Sequence, residues 1–179
     1  MKDYLIVVDI QNDFVDGALG TGEAQAMIDA AAKRIRDFSG KVFVTMDTHF
    51  ENYMDTREGK KLPVPHCIKG TDGWQLNDRI REALYGKDFD VVEKHTFGST
   101  ELPKLIRSDA GDDEVSIELI GLCTDICVIS NAMIARAFVP EAEIIVDAAC
   151  CAGVTPESHR NALEAMKVCQ VRIDGEATV

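Results

Sequence analysis

The chain is short of positive charge. It carries 19 Lys and Arg against 31 Asp and Glu, a formal net charge of −12 at pH 7. A surface of that sign repels phosphate backbones and anionic bilayers, which argues against nucleic acid or a membrane as partner. Long apolar runs are also missing, since none approaches the roughly 20 residues of a membrane span. The first apolar segment, Tyr4 to Val8, ends in Asp9 and lacks the charged leader and cleavage site of a secretory signal. A soluble, cytoplasmic protein is the expectation. The six cysteines lack the paired C-x-x-C spacing of a zinc ribbon. A chain of 179 residues matches one domain and buries a core without disulfides, so reduced thiols are expected. No repeat, low-complexity stretch or linker divides the sequence, and residues 1–179 read as a single domain.

Short apolar runs alternate with longer amphipathic ones. Tyr4–Val8, Val42–Met46, Phe89–Val92, Val115–Ile120, Glu143–Asp147 and Val168–Ile173 read as strands, several fully buried. Helices are expected at 22–38, 74–85, 101–108, 125–138 and 156–167. In the first, Ala24, Met27, Ile28, Ala31, Ile35 and Phe38 share a face. Thr155 and Pro156 supply an N-cap and a first helical position for the last. Six strands separated by crossover helices imply an α/β fold, a three-layer sandwich around a mostly parallel sheet. Ligands in such folds lie outside the carboxyl ends of the strands, where strand order reverses.

Polar residues at those strand ends are therefore the chemical candidates. Asp9 ends the first strand, Asp47 follows the second, Lys94 the third, and Cys127 the fourth. Cys127 lies in Gly121-Leu122-Cys123-Thr124-Asp125-Ile126-Cys127-Val128, where an apolar strand breaks at glycine and a helix begins. A thiol in a first helical turn feels the positive end of the macrodipole, which lowers its pKa and suits it to attack a carbonyl. Asp9, behind four apolar residues, would be pushed towards neutrality by desolvation and back towards charge by Lys94. Lys94 would also favour thiolate and the charge that builds during attack, and backbone N–H groups around Cys127 are natural oxyanion donors. The irregular stretch 47–73 holds Asp47, His49, Glu58 and His66 at a loop length usually kept for function.

Three segments carry a family resemblance: Val7-Val8-Asp9-Ile10-Gln11-Asn12-Asp13-Phe14, Lys94-His95-Thr96-Phe97-Gly98-Ser99 and Gly121 to Val128. In order and spacing the chain resembles the isochorismatase-like cysteine hydrolases, which include nicotinamidases. The resemblance implies Asp9, Lys94 and Cys127 as a catalytic triad, and the N–H groups of Cys123 and Cys127 as the oxyanion hole. It also implies a cis peptide at Leu122-Cys123, strand order 3-2-1-4-5-6, and a homo-oligomer.

Within that family, Asp47-Thr48-His49 and Val64-Pro65-His66-Cys67 resemble the metal-binding segment of nicotinamidases, with Glu58 near the place of a fourth ligand. A carboxylate and two imidazoles with open positions suit Zn²⁺, with Fe²⁺ and Mn²⁺ as alternatives. In nicotinamidases the metal holds the pyridine nitrogen while the thiol attacks the amide. Phe14, Phe97 and Trp74, the only tryptophan, are candidates to wall a flat aromatic substrate. His95 should alternate away from Lys94 and be structural. The expected activity is deamidation of nicotinamide through a thioester. Two other readings stand beside it: a metal-free cysteine hydrolase of another small amide or ureide, and a non-catalytic thiol redox sensor.

Overall fold

The computed structural model describes residues 1–176. Six strands form one sheet in the order β3-β2-β1-β4-β5-β6, and every pairing is parallel. They are β1 (Lys2–Val8), β2 (Lys41–Asp47), β3 (Phe89–Lys94), β4 (Val115–Leu122), β5 (Glu143–Ala152) and β6 (Arg172–Asp174). The helices that matter for packing are α2 (Gly22–Asp37), α4 (Asp78–Ala83), α5 (Leu102–Ala110), α6 (Ile129–Phe138) and α7 (Pro156–Val168). Two short ones, α1 (Asn12–Val15) and α3 (Arg57–Lys61), sit in the loops after β1 and β2.

Side-chain alternation along the strands divides the core in two. Tyr4, Ile6 and Val8 of β1 pack with Ile117 and Leu119 of β4 against Leu102 and Ile106 of α5, Ala132 of α6, and Met166 of α7. Leu5 and Val7 point the other way and pack with Val42 and Val44 against Met27, Ala31 and Ile35 of α2 and Ile80 of α4. The chain winds outward from β1 to β3 with its helices on one face. It then crosses back to β4 and winds outward again with helices on the other. Right-handed crossovers force that change of face when the direction of travel reverses. The reversal lies between β1 and β4, whose register runs from Lys2↔Val115 to Val8↔Gly121.

The strand set agrees with the alternation in the sequence, with differences at the edges. The last strand is Arg172–Asp174 rather than 168–173, because α7 runs on to Val168. The helix expected over 74–85 is only α4, since Trp74 to Asn77 form a turn that bridges back to Gln11. β5 continues five residues past Asp147 and takes Cys150 and Cys151 into the sheet, across a register shift opposite Leu119 to Gly121. At α7 the cap is as expected: the Thr155 hydroxyl accepts the Ser158 N–H at 3.1 Å, and the Ser158 hydroxyl accepts the Thr155 N–H at 3.0 Å. Among the described residues no helix is long and apolar enough to cross a membrane.

Gly121 fixes the approach of β1 to β4 at the switch point. Its φ is +124°, and a Cβ there would lie 2.1 Å from the carbonyl oxygen of Val8. No L side chain fits without separating the strands just before Asp9 and Cys123. Gly121→Ala is expected to cost at least about 2 kcal/mol in urea unfolding, well above an ordinary surface substitution. An unchanged unfolding midpoint would show that the strands tolerate the extra atom.

Candidate active site

At the carboxyl ends of β1, β2 and β4, the side chains of Asp9, Asp47 and Cys127 converge on the ammonium of Lys94, which ends β3. Lys94 Nζ lies 2.6 Å from Asp9 Oδ2, 3.3 Å from Asp47 Oδ1, and 3.6 Å from the Sγ of Cys127. All are out of solvent: Asp9 is 0% exposed, Asp47 3%, and Lys94 and Cys127 4% each. The Asp9–Lys94 approach is a charge contact without good hydrogen-bond alignment. The other oxygen of Asp9 accepts the Thr45 hydroxyl at 2.7 Å. Asp9 takes a left-handed φ of +48° as the chain turns out of β1, a conformation that aspartate tolerates better than most residues.

Electrostatics set the resting protonation. Burial pushes the Asp9 carboxyl upward while Lys94 pulls it back, the balance anticipated in the sequence. Lys94 is held charged: burial opposes it, and Asp9, Cys127 and Asp47 outweigh burial. Cys127 departs from expectation. Burial first, then the negative charge of Asp9, raise its thiol well above the ordinary value, and Lys94 only partly offsets them. The favourable helix terminus anticipated for Cys127 is thus outweighed by desolvation. Cys127 does lie in the first turn of a continuous helical stretch, π-type over Thr124–Val128 and running on as α6 to Phe138, so its position is as expected and only its acidity is not.

That turn is anchored at several points. The Cys123 carbonyl accepts the N–H groups of Ile126 and Val128 at 3.1 Å each. The amide of Asn131, on α6, donates to the Cys127 carbonyl at 2.8 Å, and its oxygen accepts the Ser99 N–H at 2.9 Å. The Thr124 hydroxyl lies 2.8 Å from Nδ1 of His159 on α7. The peptide between Leu122 and Cys123 is cis. Asn131 and Thr45 escaped the sequence reading. Each does its work through a hydrogen bond to a residue distant in sequence, which periodicity cannot register.

Beside this cluster, Asp47 turns its second oxygen to two imidazoles. Oδ2 lies 3.0 Å from His49 Nε2 and 3.6 Å from His66 Nε2, and Glu58 Oε1 lies 3.7 and 3.8 Å from the same two nitrogens. Donors each about 2.0–2.2 Å from a common ion are separated by distances of this size. His49 Nε2 is buried with no hydrogen-bond partner among the described residues. His66 is oriented by its other nitrogen, Nδ1, 2.8 Å from the Val64 carbonyl, the outer contact typical of a metal-ligating imidazole. One carboxylate and two imidazoles, with a second carboxylate supplied by α3, therefore fit a divalent ion of the zinc type. Gln11 secures this cluster: its amide donates to the Asp47 carbonyl at 2.9 Å and its oxygen accepts the Asp47 N–H at 2.8 Å.

Cys127 and the Asp47–His49–Glu58–His66 set open into one cavity of about 760 Å³, with Asp9 and Lys94 behind its wall. Phe14 and Phe97 line it, as do Cys123, Cys127, Asp47, His49, Glu58 and His66. Trp74 does not: its indole N–H donates to the Thr48 hydroxyl at 3.0 Å, which turns the ring away into packing. His95, expected to be structural, does border the cavity, because the strand ends at Lys94 and alternation stops there. Its Nδ1 lies 2.9 Å from the Thr48 carbonyl.

Fold and site together define a doubly wound hydrolase with its polar centre at the β1/β4 reversal. The chain belongs to the isochorismatase family, whose domain model matches residues 3–176. It is 32% identical over 185 residues to PncA of Bacillus subtilis strain 168, an uncharacterized isochorismatase family protein, covering 91% of this chain and 93% of that one. A crystal structure of nicotinamidase/pyrazinamidase PncA from Bacillus subtilis superposes with a TM-score of 0.83 at 28% identity, covering 97% of this chain and 100% of the other. The pyrazinamidase of Pyrococcus horikoshii, solved in complex with zinc, gives a TM-score of 0.79 at 28% identity over 97% and 98% of the two chains. The chain is an amide-hydrolysing hydrolase of this family.

Two measurements check the site. Metal analysis of purified protein should find close to one divalent ion per chain in wild type and almost none in His66→Ala, with Glu58→Ala intermediate. Equal metal content in all three would place the ion elsewhere. Because desolvation holds Cys127 protonated, its alkylation by iodoacetamide should keep accelerating as pH rises past the ordinary thiol value of 9.0. A plateau near neutral pH would show a thiolate at rest.

Proposed function

We propose that this enzyme is a nicotinamidase: it hydrolyses nicotinamide to nicotinate and ammonia through a thioester on Cys127. The observation that carries the reading is the convergence of Asp9, Asp47 and Cys127 on Lys94 within 3.6 Å, with Cys127 and Asp47 lining the same cavity as the His49–His66 pair.

The residues divide the work as follows. Asp9 takes the thiol proton as Sγ bonds to the amide carbon, so sulfur never has to carry charge alone in a buried site. The oxyanion that forms is met by the N–H groups of Cys123 and Cys127. When the C–N bond breaks, Asp9 returns its proton to nitrogen and ammonia departs, leaving the thioester. Water then attacks the acyl carbon with Asp9 as base, the C–S bond breaks, and sulfur regains its proton. Lys94 stays charged throughout and keeps the carboxylate form of Asp9 accessible despite burial.

Asp47, His49, Glu58 and His66 would hold the divalent ion, Zn²⁺ or else Fe²⁺ or Mn²⁺. The chemistry it supplies there is Lewis acidity towards a neutral heteroaromatic nitrogen. Phe14, edge-on to His66 with ring centroids 5.4 Å apart, gives an aromatic wall beside that position. Such a cluster next to a thiol centre favours a ring-bearing amide over an aliphatic one.

Cys127→Ala is expected to lower ammonia release from nicotinamide by at least about a thousandfold while leaving the thermal unfolding midpoint close to wild type. Mass spectrometry of acid-quenched wild-type enzyme should show a nicotinoyl adduct on the peptide that contains Cys127. Wild-type turnover by Cys127→Ala would remove the thioester route.

A further inference from the structure

The cavity is much larger than nicotinamide needs. One six-membered ring with a carboxamide fills on the order of 150 Å³ at the packing density of organic crystals, against the 760 Å³ or so present. The surplus has a direction. The anchoring groups Cys127, Asp47, His49 and His66 are buried at its inner end. Much of the remaining lining is apolar: Leu19, Leu62, Phe97, Ile126 and Val154 come from five separate segments, interspersed with Thr21, Thr56 and Thr96. Leu62, Phe97 and Val154 stand 38%, 47% and 51% exposed, so this wall leaves large apolar side chains wet. Arg57 and Lys61 border the same space from one face of α3 and form no ion pair among the described residues. Long basic side chains at a cavity rim can add their aliphatic stems to an apolar lining while keeping their charged heads in water.

The chemistry of the two anchors fixes which part of a substrate faces that wall. With the carboxamide at Cys127 and the ring nitrogen at the Asp47–His49–His66 cluster, the carbon between them is held inward. The ring carbon opposite it, the 5-position of a nicotinamide, points away from both anchors and towards the mouth. We propose that the enzyme's preferred substrates are pyridine carboxamides bearing an apolar group at the 5-position, seated against Leu19, Leu62, Phe97 and Val154. This rests on the nicotinamidase reading and extends it. An apolar group placed there covers surface that nicotinamide leaves in water, and each added methylene is rewarded by burial.

The test is a steady-state series on metal-loaded wild-type enzyme with nicotinamide, 5-methylnicotinamide, 5-propylnicotinamide and 5-carboxynicotinamide. kcat/KM is expected to rise along the alkyl series by roughly two- to fourfold per carbon, through KM, and to be lower for the carboxylate than for the propyl compound. In Leu62→Trp and Val154→Trp, which fill the outer space, the ratio of propyl to unsubstituted substrate should fall by roughly the whole gain seen in wild type. A flat or falling alkyl series with good turnover of nicotinamide overturns the inference and leaves the nicotinamidase reading standing. No turnover of any pyridine carboxamide overturns both. The wild-type series decides the matter even if a tryptophan variant does not fold.

Discussion

A single buried ammonium organises the centre of this protein. Lys94 has almost no contact with solvent, and taking a cation out of water costs several kcal/mol unless anions replace its hydration. Asp47 supplies one from the adjacent β2 and Asp9 another from the end of β1, one strand further in, and the Cys127 sulfur takes a remaining direction. Each group is tolerable inside the protein only because the others are there. The sheet makes the arrangement possible: β1, β2 and β3 are adjacent and parallel, so three consecutive strands present their carboxyl ends on one side. The crossover back to β4 brings the thiol beside them.

Asp47 joins two sites that sequence reasoning treats separately. One carboxylate oxygen faces the ammonium and the other faces the imidazoles. The charge environment of the Cys127 thiol and the donor set for an ion thus share one side chain, held in place by the paired hydrogen bonds of Gln11. A change at Asp47 acts on both, and effects of altering His49 and Lys94 are coupled rather than additive.

Much of this was legible before any coordinates. Apolar runs marked the first five strands and only the end of the sixth, and the polar residue at the end of each of the first four lies at the centre. Those signals are local, and a sheet-end position is a one-dimensional property. What escaped depends on other segments. Trp74 looked like a substrate wall, yet its indole is drawn to Thr48. His95 looked structural by alternation, yet the strand stops one residue earlier. The Cys127 thiol was expected to be acidic from its helical position, and burial together with the charge of Asp9 reverses that. α3, which carries Glu58, has only five residues and no amphipathic period to read. The strand order and the cis peptide came from family resemblance, because periodicity says nothing about which strands become neighbours.

The brevity of α3 bears on how such an enzyme can diverge. Glu58 sits outside the sheet, on a helix whose only buried residue is Gly59, while Asp47 and the thiol centre are rooted in strands. Drift in that surface helix can exchange or delete one donor without disturbing the scaffold. The fourth donor can therefore change separately from the buried thiol centre, provided Gly59 keeps its close approach to the Tyr53 carbonyl.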